Sequence, residues 1–503
     1  MRRQAPWVAM LAAASAWACV GDAPDLSGNT NADGNDGGAE AGNDSPRVSA
    51  PPSLGPAKLS LRDEDPRAGV IAGGIVIGRA ASEKDITEYR VHWGTGPTTK
   101  LADSKPIAVV NAGGQGDIIF RVVDGLTIPQ GATHLLATAA NAVGESKDIA
   151  GFTIVDNHPR SVDISGTLDY EKNYTRPAPV LSRTTKELLV AFEGSYDNYV
   201  RCALDGTMCR RQTLTLPAVL RHLSSFVDET AGKLILTGFR AEGPGQPGAD
   251  LATCGLDGQA CASVVMSAFA PDPSAAYDPV RKKVYVFFSS PSAHPAGAAC
   301  NVDLTGCGTF LFAGTGSPYA GAIDITSKKM LLVDPGPRVL LAALDATSPV
   351  STDVSGGQPS GSGEEPSIAI DETNRKLVIA ARNKNNGDRL GLFTCGIDGT
   401  NCHYSDASAS RPAGSGKSPS VAIDAKRGAI YVATENETAR PSLFRCKADG
   451  SSCTHIDLAA SLPGTRGVAP KVLIDDVNDR LLVVLETGPT TDLRAGLFLL
   501  DLW

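Results

Sequence analysis

A short motif recurs along the last two thirds of the chain, and its spacing constrains the fold more than any other feature. Its clearest copies read Pro-Ser-Ile-Ala-Ile-Asp at 366–371, Pro-Ser-Val-Ala-Ile-Asp at 419–424 and Pro-Lys-Val-Leu-Ile-Asp at 470–475. The four earlier copies end at Ser182, Asp228, Asp278 and Asp324. The seven end positions lie 46 to 53 residues apart. A period of this length, built from apolar strands and Gly, Asp and Asn turns, is typical of a four-stranded propeller blade.

The repeats predict an all-β chain in which residues 156–503 form a seven-bladed β-propeller. The copy ending at Ser182 is degenerate, so six or eight blades remain open alternatives. The last repeat stops at 499–503 without a fourth strand, whereas residues 158–166 match the fourth-strand text of an earlier repeat at 348–356. We therefore expect residues 158–166 to pair with the last blade and close the ring, which removes exposed sheet edges.

The Pro-Ser-x-Ala-x-Asp units, each followed by an apolar strand, resemble the repeats of sialidase-type and related propellers of exported bacterial proteins. The resemblance covers roughly 340 residues and implies the fold, with little bearing on activity. The Ser-x-Asp-x-Gly-x-x-Trp box of the sialidase type is not present, because Asp and Gly are adjacent in this chain.

Ten of the eleven cysteines form five pairs with the spacing C-x6-C. The pairs are Cys202 with Cys209, Cys254 with Cys261, Cys300 with Cys307, Cys395 with Cys402, and Cys446 with Cys453. In the clearest copies an Asp-Gly step, as at 398–399, lies midway and predicts a two-residue turn with positive φ at both residues. Paired cysteines then face each other about 5.5 Å apart at Cα, within disulfide range. We predict five disulfides between third and fourth strands; the fourth repeat has Ala342 and Pro349 at both positions.

The remaining cysteine, Cys19, follows an export signal. Arg2 and Arg3 precede an apolar segment that ends in small residues at Ala18, so residues 1–18 are predicted to be a signal peptide. Because Cys19 has no partner, we predict that it is lipidated and anchors an outer-membrane or cell-surface lipoprotein. A secreted or periplasmic protein with a free N-terminal cysteine remains the alternative.

Two further segments precede the repeats. Residues 19–56 are rich in Gly, Asn and Asp and poor in apolar residues, which predicts a disordered tether. Residues 57–155 alternate short apolar strands with turns, which predicts a β-sandwich. Tyr89-x-Val91-x-Trp93 and residues 139–146 resemble the third strand and the penultimate strand and turn of a fibronectin type III domain, although Thr133 stands where that domain usually has tyrosine. The resemblance implies a spacer or binding module and no catalysis.

The sequence contains no recognisable cofactor or metal motif. The seven histidines lack metal-ligand spacing, and His403 and His455 are predicted to be surface residues of outer strands. Asp63, Glu64 and Asp65 are a possible Ca²⁺ ligand set, but a solvated acidic turn is the favoured interpretation. Residues 411–418 resemble the end of a phosphate-binding loop, yet Arg411 replaces its first glycine, so an ordinary loop is predicted.

The residues do not single out a catalytic site. A sialidase-like mechanism needs arginines beside a tyrosine and a glutamate. The residues that can supply such groups are Tyr174, Arg176, Arg183, Glu193, Arg201, Glu364 and Glu365, and their spacing selects none of them. The repeated aspartates are interpreted as turn caps, because an active site needs unlike residues converging at one place.

These observations favour a monomeric cell-envelope protein that binds a protein or glycan through propeller loop faces, without catalysis. A net charge of −9 and the absence of a basic run exclude nucleic acid as a partner, and contact with the membrane is through the lipid anchor only. The alternative is an extracytoplasmic glycan-processing hydrolase or lyase with its site at the channel mouth. An envelope assembly scaffold is a third possibility. The insertion at 355–365 is either a functional loop or, as we favour, a disordered connector.

Overall fold

The described part of this computed structural model is built almost entirely of β-strands. It comprises residues 49–502, apart from 62, 64, 66, 68, 157–159, 166–174, 194–197, 217–218, 243–247, 268–272, 291–293, 313–319, 360, 462–465 and 489–493. The predictions for the signal peptide, the tether to residue 48, Cys19, Glu64 and Tyr174 concern residues outside this part. Within it, no helix has the length and apolarity needed to span a membrane.

The first strands form two antiparallel sheets around one core. They are β1 Lys58–Leu61, β2 Val70–Gly78, β3 Glu88–Gly94, β4 Ala108–Asn111, β5 Ile118–Thr127, β6 His134–Ala140 and β7 Glu145–Thr153. One sheet has the order β1-β2-β5 and the other β4-β3-β6-β7. Period-two alternation buries Ile71, Ile75 and Ile77 of β2 against Tyr89 and Trp93 of β3. The segment Tyr89-x-Val91-x-Trp93 lies in β3, and its three named side chains are buried.

The acidic turn of this region is buried. Asp63 and Asp65 are only 4% and 6% exposed. An Asp63 carboxylate oxygen accepts the backbone N–H groups of Asp65 and Ala72, both at 2.9 Å, and Asp65 accepts two hydrogen bonds from the Arg67 side chain. The expected solvated turn is therefore wrong for these two residues, because their carboxylates satisfy backbone donors. No group of three metal-ligating side chains occurs among the described residues.

Seven four-stranded antiparallel sheets follow, one for each repeat. Their strands are β8 Arg160–Asp163; β9 Thr175–Ser182, β10 Glu187–Glu193, β11 Asn198–Ala203, β12 Arg210–Thr213; β13 Val219–Asp228, β14 Lys233–Glu242, β15 Gly248–Gly255, β16 Ala262–Ser267; β17 Ser274–Asp278, β18 Lys283–Ser289, β19 Pro295–Asn301, β20 Gly308–Leu311; β21 Ala320–Asp324, β22 Lys329–Asp334, β23 Arg338–Ala343, β24 Val350–Asp353; β25 Glu364–Asp371, β26 Lys376–Asn383, β27 Arg389–Gly396, β28 His403–Asp406; β29 Lys417–Asp424, β30 Ala429–Glu435, β31 Pro441–Lys447, β32 Thr454–Asp457; and β33 Gly467–Asp475, β34 Arg480–Thr487, β35 Arg494–Asp501. Two short 3₁₀ turns lie at Lys384–Asn386 and Leu458–Ser461.

The last sheet takes its fourth strand from the start of the repeat region. Its order is β33-β34-β35-β8, with Val162 opposite Leu497. Just beyond β8, the Ile164 N–H donates to the Ala495 carbonyl at 2.9 Å, and the Ile164 side chain is fully buried. The predicted pairing of this segment with the last sheet is confirmed for residues 160–163.

The first strands of the seven sheets form a closed series. Each of β9, β13, β17, β21, β25, β29 and β33 contacts the first strand of the next sheet, and β33 contacts β9. Because strand 1 of each sheet lies against two neighbours, the seven sheets surround a common centre. This arrangement positions the site described below.

The aspartate that ends most first strands caps the following turn. Asp371 accepts the Asn374 N–H at 2.9 Å, and Asp424 accepts the Arg427 N–H at 3.1 Å. Two of these carboxylates also bind a basic side chain of the next sheet: Asp228 binds Lys282 and Asp324 binds Arg375, each at 2.6 Å. The interpretation of the repeated aspartates as structural caps agrees with these contacts.

Asp228 shows how this arrangement responds to pH. Its side chain is 4% exposed and lies 2.6 Å from Lys282 of the next sheet. Burial alone raises its pKa, but hydrogen bonds from Lys282 and Thr230 lower the pKa to about 2. Because this value lies below that of an unfolded aspartate, the stabilisation is present above about pH 4 and disappears as the pH falls towards 2.

We therefore expect Asp228→Asn to destabilise the protein by about 1 to 2 kcal/mol at pH 7, an amount reduced by solvent screening at the partly exposed Lys282. The difference from wild type should shrink between pH 4 and pH 2, as measured by urea unfolding at each pH. Asp476→Asn is the matched control, because Asp476 is 55% exposed and pairs with the exposed Arg183. A pH-independent difference would contradict the assignment.

All five cysteine pairs are disulfide-bonded. The bonds join Cys202 to Cys209, Cys254 to Cys261, Cys300 to Cys307, Cys395 to Cys402, and Cys446 to Cys453. The paired Cα atoms lie 4.0 to 4.1 Å apart, closer than the expected 5.5 Å and near the roughly 4.5 Å of non-hydrogen-bonded pairs.

The second cysteine of each pair does not lie in a fourth strand, so the prediction of its position is wrong. Each lies one residue before that strand begins, at the end of the hairpin turn; these residues are Cys209, Cys261, Cys307, Cys402 and Cys453. The first cysteine of every pair is buried in strand 3, whereas the second is half-buried or, at Cys307, exposed. Each bond therefore fastens the turn to strand 3, next to the first residue pair of strands 3 and 4.

The predicted two-residue turn is also wrong, which explains the displaced cysteines. Gly399 has φ +76° but Asp398 does not have positive φ; the Gly399 N–H closes a four-residue turn onto the Gly396 carbonyl at 2.8 Å. Asp398 instead accepts the Thr400 N–H at 3.1 Å. Because the turn takes up these residues, pairing of strands 3 and 4 begins only at Thr394 opposite His403, one residue beyond Cys402.

Candidate functional site

A cavity of about 440 Å³ lies where the first strands of the sheets meet. Six of the seven sheets contribute to its lining. The lining residues are Arg176, Pro177, Glu193, His222, Leu223, Ser224, Pro273, Ser274, Glu365, Pro366, Ser418, Pro419, Ala469 and Lys471. The corresponding residues of the remaining sheet, before β21, lie outside the described part of the chain.

Five residues around this cavity occupy equivalent bulges in five sheets. Each precedes the first residue of the repeat motif and has positive φ, and the register of strand 1 against strand 2 shifts around it. The residues and their φ values are Arg176 +45°, His222 +54°, Glu365 +49°, Ser418 +48° and Ala469 +49°. This conformation costs a non-glycine residue about 1 to 2 kcal/mol. A bulge re-aims a side chain, and here all five residues line the cavity.

The bulge positions carry unlike side chains although their neighbours repeat. The next residue is proline in four of the five cases, and the aspartate or serine that ends strand 1 lies five residues further on. The backbone is therefore common to the sheets, while the side chain presented to the cavity changes from sheet to sheet. Such convergence of unlike groups is what a binding or catalytic site requires.

Carboxylates near the cavity hold these bulges in place. A Glu193 oxygen accepts the His222 N–H at 2.6 Å, and a Glu365 oxygen accepts the Ser418 N–H at 2.9 Å. In both cases the carboxylate belongs to one sheet and the bulge to the next. Glu365 also pairs with Arg382 at 3.0 Å. These glutamates therefore connect neighbouring sheets.

Glu486 of β34 makes the same kind of contact where the last sheet meets the first, because it accepts the N–H of the bulge residue Arg176. Burial raises the pKa of Glu486, and the charge of Arg466 together with a hydrogen bond from the Arg176 N–H opposes the increase. Glu435, on β30, also has its pKa raised by burial. Two carboxyl groups of the last two sheets thus hold their protons to higher pH than an exposed glutamate does.

Lys471 is the clearest departure from the repeat. The motif has serine at this position in four sheets, at Ser224, Ser274, Ser367 and Ser420. The Ser367 and Ser420 hydroxyl oxygens each accept a backbone N–H of the next sheet at 3.1 Å. The Lys471 side chain is exposed within the cavity; desolvation by the surrounding cavity walls and then the charge of Arg176 lower its pKa, with Glu193 opposing.

Arg176 and His222 form a pair beside Lys471. The Arg176 Nη1 group lies 2.9 Å from His222 Nδ1. Because a guanidinium only donates hydrogen bonds, Arg176 Nη1 is the donor and His222 Nδ1 is the acceptor. The contact joins the bulges of the first two sheets and fixes the direction of the Arg176 side chain.

The structure brings together three of the seven residues considered for catalysis: Arg176, Glu193 and Glu365 line the cavity. The other described candidates lie elsewhere and pair with other side chains: Arg183 with Asp476 at 3.1 Å, Arg201 with Glu187 at 2.6 Å, and Glu364 with Lys384 at 3.3 Å.

Sequence reasoning missed His222 and Lys471 as cavity residues. For Lys471 a signal existed, since Pro-Lys replaces Pro-Ser in the last clear motif.

The remaining sequence candidates are structural. His403 is exposed, as predicted, whereas His455 is half-buried against Phe444. Residues 411–416 form the turn that precedes β29, with Ser415 buried, and residues 417 and 418 begin the strand. In the 355–365 insertion Ser362 is fully buried and the Gly361 carbonyl accepts the Lys384 N–H at 3.1 Å, so the expectation of a disordered connector is wrong for these residues.

The sheets and the central cavity define an all-β protein with a propeller-like fold, and five disulfides are typical of an extracytoplasmic chain. No family model matches the sequence, and no curated protein matches it.

Several solved structures share part of the architecture. A chain of the nidogen/laminin complex is 16% identical with a TM-score of 0.35, covering 52% of this chain and 96% of that chain. The Cps50 (Swd1) β-propeller domain of Myceliophteria thermophila is 13% identical with a TM-score of 0.44, covering 66% and 98%. A chain of the mitotic checkpoint complex is 12% identical with a TM-score of 0.45, covering 68% and 94%. None of these similarities identifies a ligand.

Proposed function

We propose that residues 156–503 form a seven-bladed β-propeller and residues 57–155 a fibronectin type III-like sandwich, exported and anchored to the membrane by a lipid on Cys19. Seven four-stranded sheets whose first strands form a closed series support the propeller. The order β1-β2-β5 facing β4-β3-β6-β7 supports the sandwich. Five disulfides support export, because such bonds persist in oxidising compartments.

On this framework we propose that the propeller binds a protein or glycan at its central cavity, without catalysis. The observation that carries the proposal is the ring of unlike side chains held at equivalent bulges. Glu193 and Glu365 each accept a backbone N–H group of the next sheet, and this structural use of the two carboxylates favours binding over acid–base chemistry. A sialidase-like mechanism needs several arginines beside a tyrosine and a glutamate, whereas the described lining residues include one arginine and no tyrosine.

A cavity-filling variant tests this proposal. Residues 50–503 are applied to arrays of bacterial and host glycans and of surface proteins, and bound ligands are measured by calorimetry. Ser224→Phe should weaken binding by about tenfold or more, because it occupies the cavity. The control is Thr184→Phe on the turn after β9, which is exposed. Equal loss in both variants, or unchanged binding in Ser224→Phe, would contradict a cavity site.

The enzymatic alternative has one observation in its favour. Lys471 has a lowered pKa and Glu486 a raised one, both close to Arg176, and shifted pKa values cluster at active sites. Incubating the protein with each bound glycan and analysing the products by mass spectrometry separates the two functions. Shortened or unsaturated products that disappear in Ser224→Phe would establish a hydrolase or lyase and overturn the proposal of pure binding.

A further inference from the structure

We infer that the cavity contains a carboxylate-binding site, formed by the Lys471 ammonium group and the Arg176 guanidinium group, with His222 positioning Arg176. The inference rests on the proposed binding function of the cavity and specifies the ligand as a small monocarboxylate, such as an acidic monosaccharide unit. Neither lysine nor arginine at these positions is needed for the repeat fold, since the equivalents of Lys471 are serine or alanine and the equivalents of Arg176 include histidine, glutamate, serine and alanine.

Lys471 supplies the first argument. Its side chain projects from β33 into the cavity in place of the serines that bridge neighbouring sheets elsewhere. Among the described residues, no oxygen lies within hydrogen-bond or ion-pair distance of its ammonium group. An anion that enters the cavity can therefore reach this exposed ammonium group directly, and the low dielectric constant of the cavity walls strengthens the attraction.

Arg176 supplies the second argument. Its residue lies in the left-handed bulge of β9, which is the strand next to β33 in the closed series. One guanidinium N–H group is directed to His222 Nδ1, so the planar group is held in one orientation while the other donors remain for a ligand. A fixed guanidinium matches a carboxylate through parallel hydrogen bonds, and Lys471 adds a point charge on the same side of the cavity.

The surroundings favour a ligand with one negative charge. The charged and titratable groups that line the cavity with Lys471 are Arg176 and His222 of the first two sheets, Glu193 of β10 and Glu365 of β25, and Glu486 of β34 lies beside the Arg176 backbone. Glu193 accepts the His222 N–H and Glu365 pairs with Arg382, so both carboxylates have partners. No phenylalanine, tyrosine or tryptophan is among the described lining residues, whereas Arg176 and Lys471 carry charge, so we infer that the ligand is recognised by its charge. A volume of about 440 Å³ accommodates a monosaccharide acid.

Binding should be linked to proton uptake. Desolvation by the cavity walls and the Arg176 charge lower the pKa of the Lys471 amine, and a carboxylate beside it favours the charged ammonium form. The ligand therefore binds more tightly as the pH falls through the pKa of Lys471, until the ligand carboxylate itself is protonated. Binding of an uncharged sugar has no such dependence.

Competitive acetylation of lysines followed by peptide mass spectrometry tests the inference on residues 50–503. An amine-acylating reagent at pH 7.5 is applied alone, with about 10 mM D-glucuronate, or with the same concentration of D-glucose. Glucuronate should slow acetylation of Lys471 by about threefold or more at near-saturating concentration, while glucose has no effect. Lys447, which is exposed at the end of β31, should be unaffected and serves as the matched control.

The variant Arg176→Gln should abolish the protection of Lys471 while its circular dichroism spectrum stays that of the wild type. Protection that persists in Arg176→Gln, or that is equal with glucose, would overturn the inference. If glucuronate gives no protection but Ser224→Phe still weakens binding of another ligand, the carboxylate site fails and the proposed function stands. If Ser224→Phe weakens the binding of no ligand, both the carboxylate site and the proposed binding function fail.

Discussion

Replacing Ile164 by aspartate is expected to unfold the seven-sheet region at 37 °C. The Ile164 side chain is fully buried next to the strand that completes the last sheet, among Leu188, Leu482 and Leu497. Burying an unpaired carboxylate there costs several kcal/mol, about 4 or more, in addition to the lost apolar contacts. Typical domains are stable by only about 5 to 15 kcal/mol, so most of the stability is removed.

Urea unfolding followed by tryptophan fluorescence and circular dichroism measures this loss. Arg160→Asp is the control on the same strand, because Arg160 is exposed while its backbone pairs with β35 opposite Leu499. It should change the unfolding midpoint little. Similar midpoints for both variants would mean that residues 160–164 do not close the last sheet.

Reduction of the disulfides is expected to have the second largest effect. Each bond joins cysteines seven residues apart, and closing a loop of this size stabilises the native state by about 2 to 3 kcal/mol on a loop-entropy estimate. Five such bonds, allowing for incomplete additivity, should contribute about 5 to 10 kcal/mol. A large decrease in the urea midpoint in the presence of a phosphine reductant is therefore expected.

The fourth sheet is a control built into the molecule. Its strands β23 and β24 flank a hairpin that carries Ala342 and Pro349 where the other sheets have the cysteine pair. Under partial reduction, hydrogen exchange should rise in the third and fourth strands of the five bridged sheets and stay unchanged in β23 and β24. Uniform loss of protection in all sheets would contradict a local clamping role for each bond.

Much of the fold could be predicted because its determinants are local and repeated. The Pro-Ser-x-Ala-x-Asp motif marks strand 1 of each sheet, and the C-x6-C spacing marks the hairpin between strands 3 and 4. The closing strand was located because the sequence of residues 158–166 matches that of residues 348–356, which contain the fourth strand of an earlier repeat. The turn type was not predictable from Asp-Gly alone, because Asp398 accepts the Thr400 N–H and the connection between the strands has positive φ at Gly399 and Asn401 but not at Asp398. Because the turn is longer than predicted, Cys402 lies before the fourth strand and not in it. The predicted pairing of Cys402 with Cys395 is correct.

The candidate site was predictable only in part. Arg176, Glu193 and Glu365 were among the residues considered, but no spacing rule shows that they share a cavity. Their proximity depends on closure of the series of sheets, which brings β33 against β9 across almost 300 residues of sequence. The bulges are a second obstacle, because a shift in register redirects His222 and Ser418 into the cavity in a way that period-two alternation does not predict.

Hydrogen exchange of the segment around β8 tests the central claim, a ring of sheets closed around the cavity, most directly. In intact residues 50–503, the amide of Ile164, which donates to Ala495, should exchange as slowly as the amides of β34 and β35. If β8 closes the last sheet, the segment around β8 should open together with β34 and β35 and should have the same protection factor. Exchange of residues 160–164 within seconds, while β34 and β35 remain protected, would show an open last sheet and contradict the closed ring.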